Sequence, residues 1–300
     1  MLCHFIYEAI NRRSIKMAKQ DIFSLIHSRY NSFTNTEKKV ADYILENIKD
    51  VIYMSITDLA DACHVGESSV FRFCKTMDLK GYQEFKIMLA HSISLDNETP
   101  QLSSAITMQD TIAELSSKVL SSNVQALTET FNLLSEQDIA LAVECMINAQ
   151  RIHFFGVGSS LMTAMEAKNK FMRITNKTEC SLDSHLQIMS AALMTKQDVA
   201  VLISYSGSTK DTIEVAKVAK ERGAKIISIT RFAKSPLTSF SDITLLCGAN
   251  EGPLQGGSLS AKISQLYLLD LLYLEYFKKT NKDSVHNKEL TAQAVIEKML

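Results

Sequence analysis

The chain reads as an all-α helix-turn-helix domain followed by an α/β domain built on a doubly wound parallel sheet. Three observations predict this. From Asp21 to about Ser94 short helical periods are separated by tight breaks. Beyond residue 150 apolar runs alternate with helical segments, the pattern of a parallel sheet with right-handed crossovers. Two of those runs end in Ser/Gly-rich strings, Phe154-Phe155-Gly156-Val157-Gly158-Ser159-Ser160 and Ile203-Ser204-Tyr205-Ser206-Gly207-Ser208-Thr209, each opening a helical segment.

In the first region Thr36 is placed to cap a helix with Val40, Tyr43, Ile44 and Ile48 on one face. A second helix starts near Ser55 or Thr57 and carries Ile56, Leu59 and Ala60. His64-Val65-Gly66 breaks it. A third, Glu67 to Met77, turns Val70, Phe73, Cys74 and Met77 inward, and after Lys80-Gly81 a fourth runs from Tyr82 to Ile93 on Phe85, Met88 and Leu89. The polar stretch around Asp96-Asn97-Glu98-Thr99-Pro100-Gln101 is a linker. The domain plan is therefore 17–94, a linker over 95–109, 110–280, and a tail or helix over 281–300.

The second region opens with two helices between Asp110 and Ala149, split near Ser135-Glu136-Gln137-Asp138. Strands are expected at Arg151–Phe155, Thr178–Ser181, Val199–Ile203, Lys225–Ile229 and Ile243–Leu246. Helices are expected at Leu161–Ile174, His185–Leu193, Lys210–Arg222 and Ala261–Phe277. Met162, Met165, Met172, Met189 and Met194 recur at helical spacing and read as core.

Composition narrows the function. The 300 residues carry a net charge of -1, so any nucleic-acid surface must be sorted locally. Six scattered cysteines, with no CxxC pair, read as reduced thiols of a cytoplasmic protein. No apolar run is long enough to span a membrane. Met1 to Lys16 lacks a cleavage site, and Met17 reads as an alternative start. There is no Ser-His-Asp arrangement, metal-ligand spacing or Walker string, so no cofactor or metal is expected.

The string from Ser55 to Lys75 has helix-turn-helix spacing: Ala60 allows a close crossing, and Val70 packs the second helix onto the first. That second helix displays Ser68, Ser69, Arg72 and Lys75 from the half that reaches base edges in a major groove, with Lys75, Lys80 and Lys86 nearer phosphates. Residues 17–92 hold nine Lys+Arg against ten Asp+Glu, so only this side is basic and a monomer would bind duplex DNA poorly. Dimerisation is needed. A three-helix bundle for protein contacts is the competing reading.

The two Ser/Gly strings present free N–H groups and hydroxyls at helix N-termini, seats for a phosphate or other anion. About 50 residues apart, they point to neighbouring strands sharing one crevice.

The stretch from Phe33 through Leu95, with Ser68-Ser69-Val70-Phe71-Arg72-Phe73-Cys74-Lys75 and Lys80-Gly81-Tyr82-Gln83-Glu84-Phe85-Lys86, resembles the N-terminal domain of RpiR-family bacterial transcriptional regulators. The stretch from about Asp110 to Phe277 resembles a sugar isomerase (SIS) domain. The resemblance implies a regulator that binds double-stranded operator DNA, senses a phosphorylated sugar, and assembles as a homodimer or homotetramer through its SIS domains. It implies that Ser204, Ser206, Gly207 and Thr209, with Ser208, hold the phosphate. Gly156, Gly158 and Ser160, with Ser159, are implied to contact sugar hydroxyls or the phosphate's other side. The chain departs from the family at His64, where Gly or Asn is usual, at Gly66, where Ser is usual, and at Lys262, where many relatives have Arg.

SIS domains also occur as aldose–ketose isomerases. His185 at a helix start and Glu251 in Asn250-Glu251-Gly252-Pro253 are the candidate acid–base groups, with helix capping and a solvated loop as their competing roles. A helix-turn-helix serves a sensor and not an enzyme, so His185 is assigned to the ligand and no catalytic residue is expected.

Overall fold

The computed structural model describes residues 22–96, 106–107, 109–249, 251, 259–296 and 298. The alternative start at Met17, most of the expected linker, and the residues flanking Glu251 lie outside them. The chain divides into two compact units at Lys118–Val119, with Glu251 grouped with the first.

The first unit is helical: α1 (Ile22–Arg29), α2 (Asn35–Glu46), a one-turn α3 (Ile48–Val51), α4 (Ile56–Ala62), α5 (Glu67–Thr76) and α6 (Tyr82–Asp96). Ile22, Ile26, Val40, Ile44, Leu59, Val70, Phe73, Phe85 and Leu89 form its core. Phe73 sits at its centre, 5.1 Å from Phe33 and 5.9 Å from Phe85 between ring centroids. The cap of α2 is Thr34 rather than the expected Thr36. Thr34 has Glu37 three residues on, and the pair closes a reciprocal capping box, Thr34 N donating to Glu37 Oε2 at 2.8 Å. Thr36 has Lys39 at that spacing and can close none. Ser55 caps α4 with Asp58 in the same way.

The turn between α4 and α5 is built by His64 at φ 54, a left-handed residue. His64 N donates to Asp61 O at 3.0 Å and Val65 N to Ala60 O at 2.9 Å, the pair of bonds that ends a helix and reverses the chain. The end of α5 repeats the device with Asp78 at φ 60: its N–H donates to Lys75 O, and Leu79 N to Cys74 O.

The second unit comprises α7 (Ile112–Asn132, which begins in the first unit), α8 (Glu136–Asn148), β1 (Ile152–Gly156), α9 (Ser159–Phe171), β2 (Thr178–Glu179), α10 (Ser184–Ala192), β3 (Val199–Ile203), α11 (Lys210–Glu221), β4 (Lys225–Thr230), β5 (Ile243–Leu246), α12 (Leu259–Lys279) and α13 (Asn281–Ile296). The five strands are parallel in the order β2-β1-β3-β4-β5. β1 and β3 are buried along their whole length, as strands covered on both faces must be. One core lies between the sheet and α8, α9 and α12, a second between the sheet, α10 and α11.

Three of the methionines assigned to the core are exposed: Met162, Met172 and Met189. Helices α9 and α10 turn an alanine stripe inward instead, Ala164, Ala167 and Ala191. Small residues let a helix lie close to the sheet, and the methionine spacing then falls on the outer face. Leu182, Leu186, Met189 and Leu193 consequently form an exposed apolar stripe along α10. Cys63, Cys74, Cys145, Cys180 and Cys247 are free thiols, and burial pushes Cys74 up to about 12. No described helix is long and apolar enough to cross a membrane.

Candidate functional site

In the first unit α5 separates its residues cleanly by face. Ser69, Val70, Phe73 and Cys74 are buried, while Ser68, Phe71, Arg72 and Lys75 are exposed. Two residues expected at this surface are placed elsewhere. Ser69 points inward, where its Oγ accepts from Arg72 Nη2 at 3.2 Å, so it orients the guanidinium rather than standing beside it. Lys86 is 7% exposed and its ammonium donates to Met54 O at 2.9 Å. Burial holds its pKa down to about 8. Position 86 falls on the α6 face that packs against the core, and a long stem tipped by a charge finds a carbonyl there instead of solvent. Lys80 is exposed. Acidic neighbours are occupied locally: Asp78 pairs with Arg29, Glu67 accepts from Thr57, and Glu84 accepts from the Lys80 N–H. The outward face of α5 therefore shows a hydroxyl, an aromatic ring and two cations, with the carboxylates drawn aside.

In the second unit the two Ser/Gly turns follow β1 and β3, which are hydrogen-bonded neighbours with Gly156 opposite Ile203. In the order 2-1-3-4-5 this is where the connections depart to opposite sides, leaving a crevice at the carboxyl ends of the strands. Backbone geometry makes both turns. At Gly156 a Cβ would lie 2.6 Å from Ser160 O, so the start of α9 folds back against the strand only over a glycine. Gly158 (φ 61) is the N-cap of α9 and supplies no side-chain acceptor, and Ser160 N donates to Val157 O at 3.2 Å in the turn that opens the helix. Gly207 (φ 60) lies under the loop after β4: a Cβ there would come within 2.2 Å of Ser235 Oγ. Leu237 N donates to Gly207 O at 2.9 Å and ties the two loops together.

Ser206 Oγ accepts from Ser208 N at 3.2 Å, and Ser204 Oγ lies 3.5 Å from Thr209 Oγ1. Thr209 is the N-cap of α11 but makes no side-chain cap. The turn's hydroxyls thus lie at the uncapped, positive end of α11, an arrangement that favours an anion. Lys210, beside them, is exposed and lies 3.7 Å from Glu214.

His185 is exposed. The cap of α10 is Asp183, whose carboxylate accepts from the N–H groups of His185 and Leu186, so His185 does not fill that role. Glu251 is half-buried. Gln187 was missed: 2% exposed, its amide donates to Gly156 O at 2.9 Å and Ser181 O at 3.0 Å, bracing the first turn. Nothing in a lone helical Gln announces this.

Tyr205 stands inside the second string, where no local spacing marks its role. Its backbone O accepts from Arg231 N and Thr230 Oγ1, and its hydroxyl donates to Ala249 O at 2.8 Å. The neighbouring Gly248 donates to Thr130 Oγ1 of α7 at 2.9 Å, and Ser264 of α12 donates to Gly248 O at 2.5 Å. Tyr205 packs with Ala126, Ala249 and Ala261. The anion-type turn, the residues after β5 and α7 are thereby linked by consecutive hydrogen bonds, the last of them buried.

Fold and site together define a regulator class: a helix-turn-helix unit joined to a parallel-sheet unit with paired anion-type turns. Residues 20–96 match the helix-turn-helix domain of the rpiR family, and residues 145–275 match the SIS domain. An uncharacterised HTH-type transcriptional regulator of Caldanaerobacter subterraneus is 38% identical over 92% of this chain and 97% of its own. The regulator HexR of Pseudomonas aeruginosa is 34% identical over 84% of this chain and 88% of its own. Among solved structures, Vibrio vulnificus NanR complexed with ManNAc-6P superposes with a TM-score of 0.82 at 32% identity, covering 92% of this chain and 98% of that one. The chain belongs to the rpiR family of HTH-type transcriptional regulators. These relatives are regulators, and the isomerase reading is not favoured.

Proposed function

We propose that the chain is a cytoplasmic regulator that grips double-stranded operator DNA with the exposed face of α5 and senses a phosphorylated sugar at the β1–β3 crevice. The observation that carries this is the pairing of two anion-type turns at adjacent strand ends, Gly156 opposite Ile203, in a chain whose other unit is a helix-turn-helix. Ser204, Ser206, Gly207, Ser208 and Thr209 would take the phosphate. Gly156, Gly158, Ser159 and Ser160 would face the sugar, with His185 at the rim. The NanR complex with ManNAc-6P supports a sugar phosphate and makes an amino-sugar phosphate the first ligand to try.

The modules are 17–94 and 110–280, joined through 95–109. Assembly as a homodimer or homotetramer through the second module is supported by the apolar stripe of α10 and by the modest charge of a single DNA-binding unit. Ligand bias reaches α7 through Tyr205, Ala249, Gly248 and Thr130. It acts only through differential affinity for two arrangements of the assembly.

The test is a gel shift on the DNA upstream of the chain's own gene, with and without a panel of sugar phosphates. A specific shift altered by one of them is expected. Arg72→Ala should abolish the shift and leave sugar-phosphate affinity intact. No shift, with turnover of a panel member instead, would replace this reading by the isomerase.

A further inference from the structure

Ser68, Phe71, Arg72 and Lys75 are spaced i, i+3, i+4 and i+7, so they form one stripe along the outer face of α5. Three of the four are polar. Phe71 is 43% exposed, whereas Phe33, Phe73 and Phe85 of the same unit are buried. The ring is the apolar member of an otherwise polar stripe, and what distinguishes it is how it is held.

The ring is held in place. One edge rests on Gly81, where an added Cβ would come within 3.3 Å of Phe71 Cε2. Lys75 Nζ stands over its face, 5.2 Å from the centroid. Phe71 is thus a braced apolar edge between a hydroxyl and a guanidinium, and ordering it on binding costs little side-chain entropy.

In the major groove the base edges offer hydrogen-bond donors, acceptors and one apolar group, the C5 methyl of thymine. Ser68, Arg72 and Lys75 match the polar groups. Phe71 matches the methyl. We infer that Phe71 is a specificity-determining residue that reads a thymine methyl next to the bases met by Ser68 and Arg72. This rests on the proposed DNA-binding role of α5 and adds to it a residue that supplies sequence preference with no hydrogen bond and no charge.

The experiment uses the full-length protein and duplexes it selects from a random pool. Each thymine of the selected site is replaced in turn by uracil, which removes only the methyl. The wild type should lose about 4-fold in affinity at one thymine per half-site, the worth of one buried methyl. Phe71→Ala should bind the thymine and uracil duplexes equally while keeping the wild-type Tm. Phe71→Leu should restore part of the preference. Undiminished discrimination by Phe71→Ala at that position, or no uracil-sensitive thymine in the site, overturns the assignment. Failure of the wild type to enrich any duplex overturns the DNA-binding reading of α5 itself, a separate and recognisable result.

Discussion

The outer face of α5 and the β1–β3 crevice are built from opposite materials. On α5 the groups proposed to meet DNA are side chains standing clear of a core that they do not enter: Ser68, Phe71, Arg72 and Lys75 are exposed while Val70 and Phe73 hold the helix. In the crevice the proposed ligand surface is the chain itself, with Gly156, Gly158 and Gly207 allowing backbone to fold where a Cβ would collide or a positive φ is required. A side-chain surface can change its specificity without touching stability. A backbone surface ties recognition and folding together.

The helix ends carry the same contrast. Both α4 and α5 close with a non-glycine residue in the left-handed region, His64 and Asp78, whereas α11 closes the same way with Gly223 at φ 80. The helix-turn-helix unit therefore stores backbone strain at its turns that the described residues of the second unit do not.

The comparison breaks most visibly at Gly156. Gly156→Ala should cost about 3 kcal/mol of stability, because the new Cβ meets Ser160 backbone rather than a movable side chain. It should also abolish sugar-phosphate binding, read as a lowered Tm with no ligand-dependent rise. A wild-type Tm would mean that the close approach of α9 to β1 is not obligatory.

Next in size is Ser206→Ala, which removes a hydroxyl without moving the backbone. Calorimetric titration should show ligand affinity weakened by about 1–3 kcal/mol, with Tm in the absence of ligand lowered only slightly by the lost bond to Ser208 N. Unchanged affinity would assign the anion to the first turn alone.

The smallest effects come from exchanging the helix-end chemistry. His64→Gly should stabilise the first unit by about 1 kcal/mol, and Gly223→Ala should destabilise the second by a similar amount, both by denaturant unfolding. Equal signs for the two would remove the contrast in stored strain.

Much of this was legible in the residues. β3 and β5 match their expected ranges, and the other expected strands and helices shift by no more than a few residues, because β-branched runs and helical stripes are local signals; α1 and the one-turn α3, which holds Ile48 apart from the helix expected to carry it, were not expected. The misses have local causes too. Thr34 and Thr36 are equivalent as N-caps until the reciprocal partner Glu37 is counted. Ser69 and Lys86 are polar residues on inward faces, and composition alone places them outside. Gln187 and Tyr205 act through carbonyls distant in sequence, at Gly156 and Ala249, which no spacing rule connects. The exposed methionines show the converse: a helix with two apolar stripes buries the one with the smaller residues.

The interlock of Gly207 with Ser235 and Leu237 has a consequence for protein engineering. The Ser/Thr turn after β3 takes its shape from the loop after β4, which occupies the space that a side chain at 207 would need. A graft of residues 203–209 alone onto another parallel sheet would carry the proposed recognition groups without their mould. The smallest transplantable unit is the two strands with both of their exit loops.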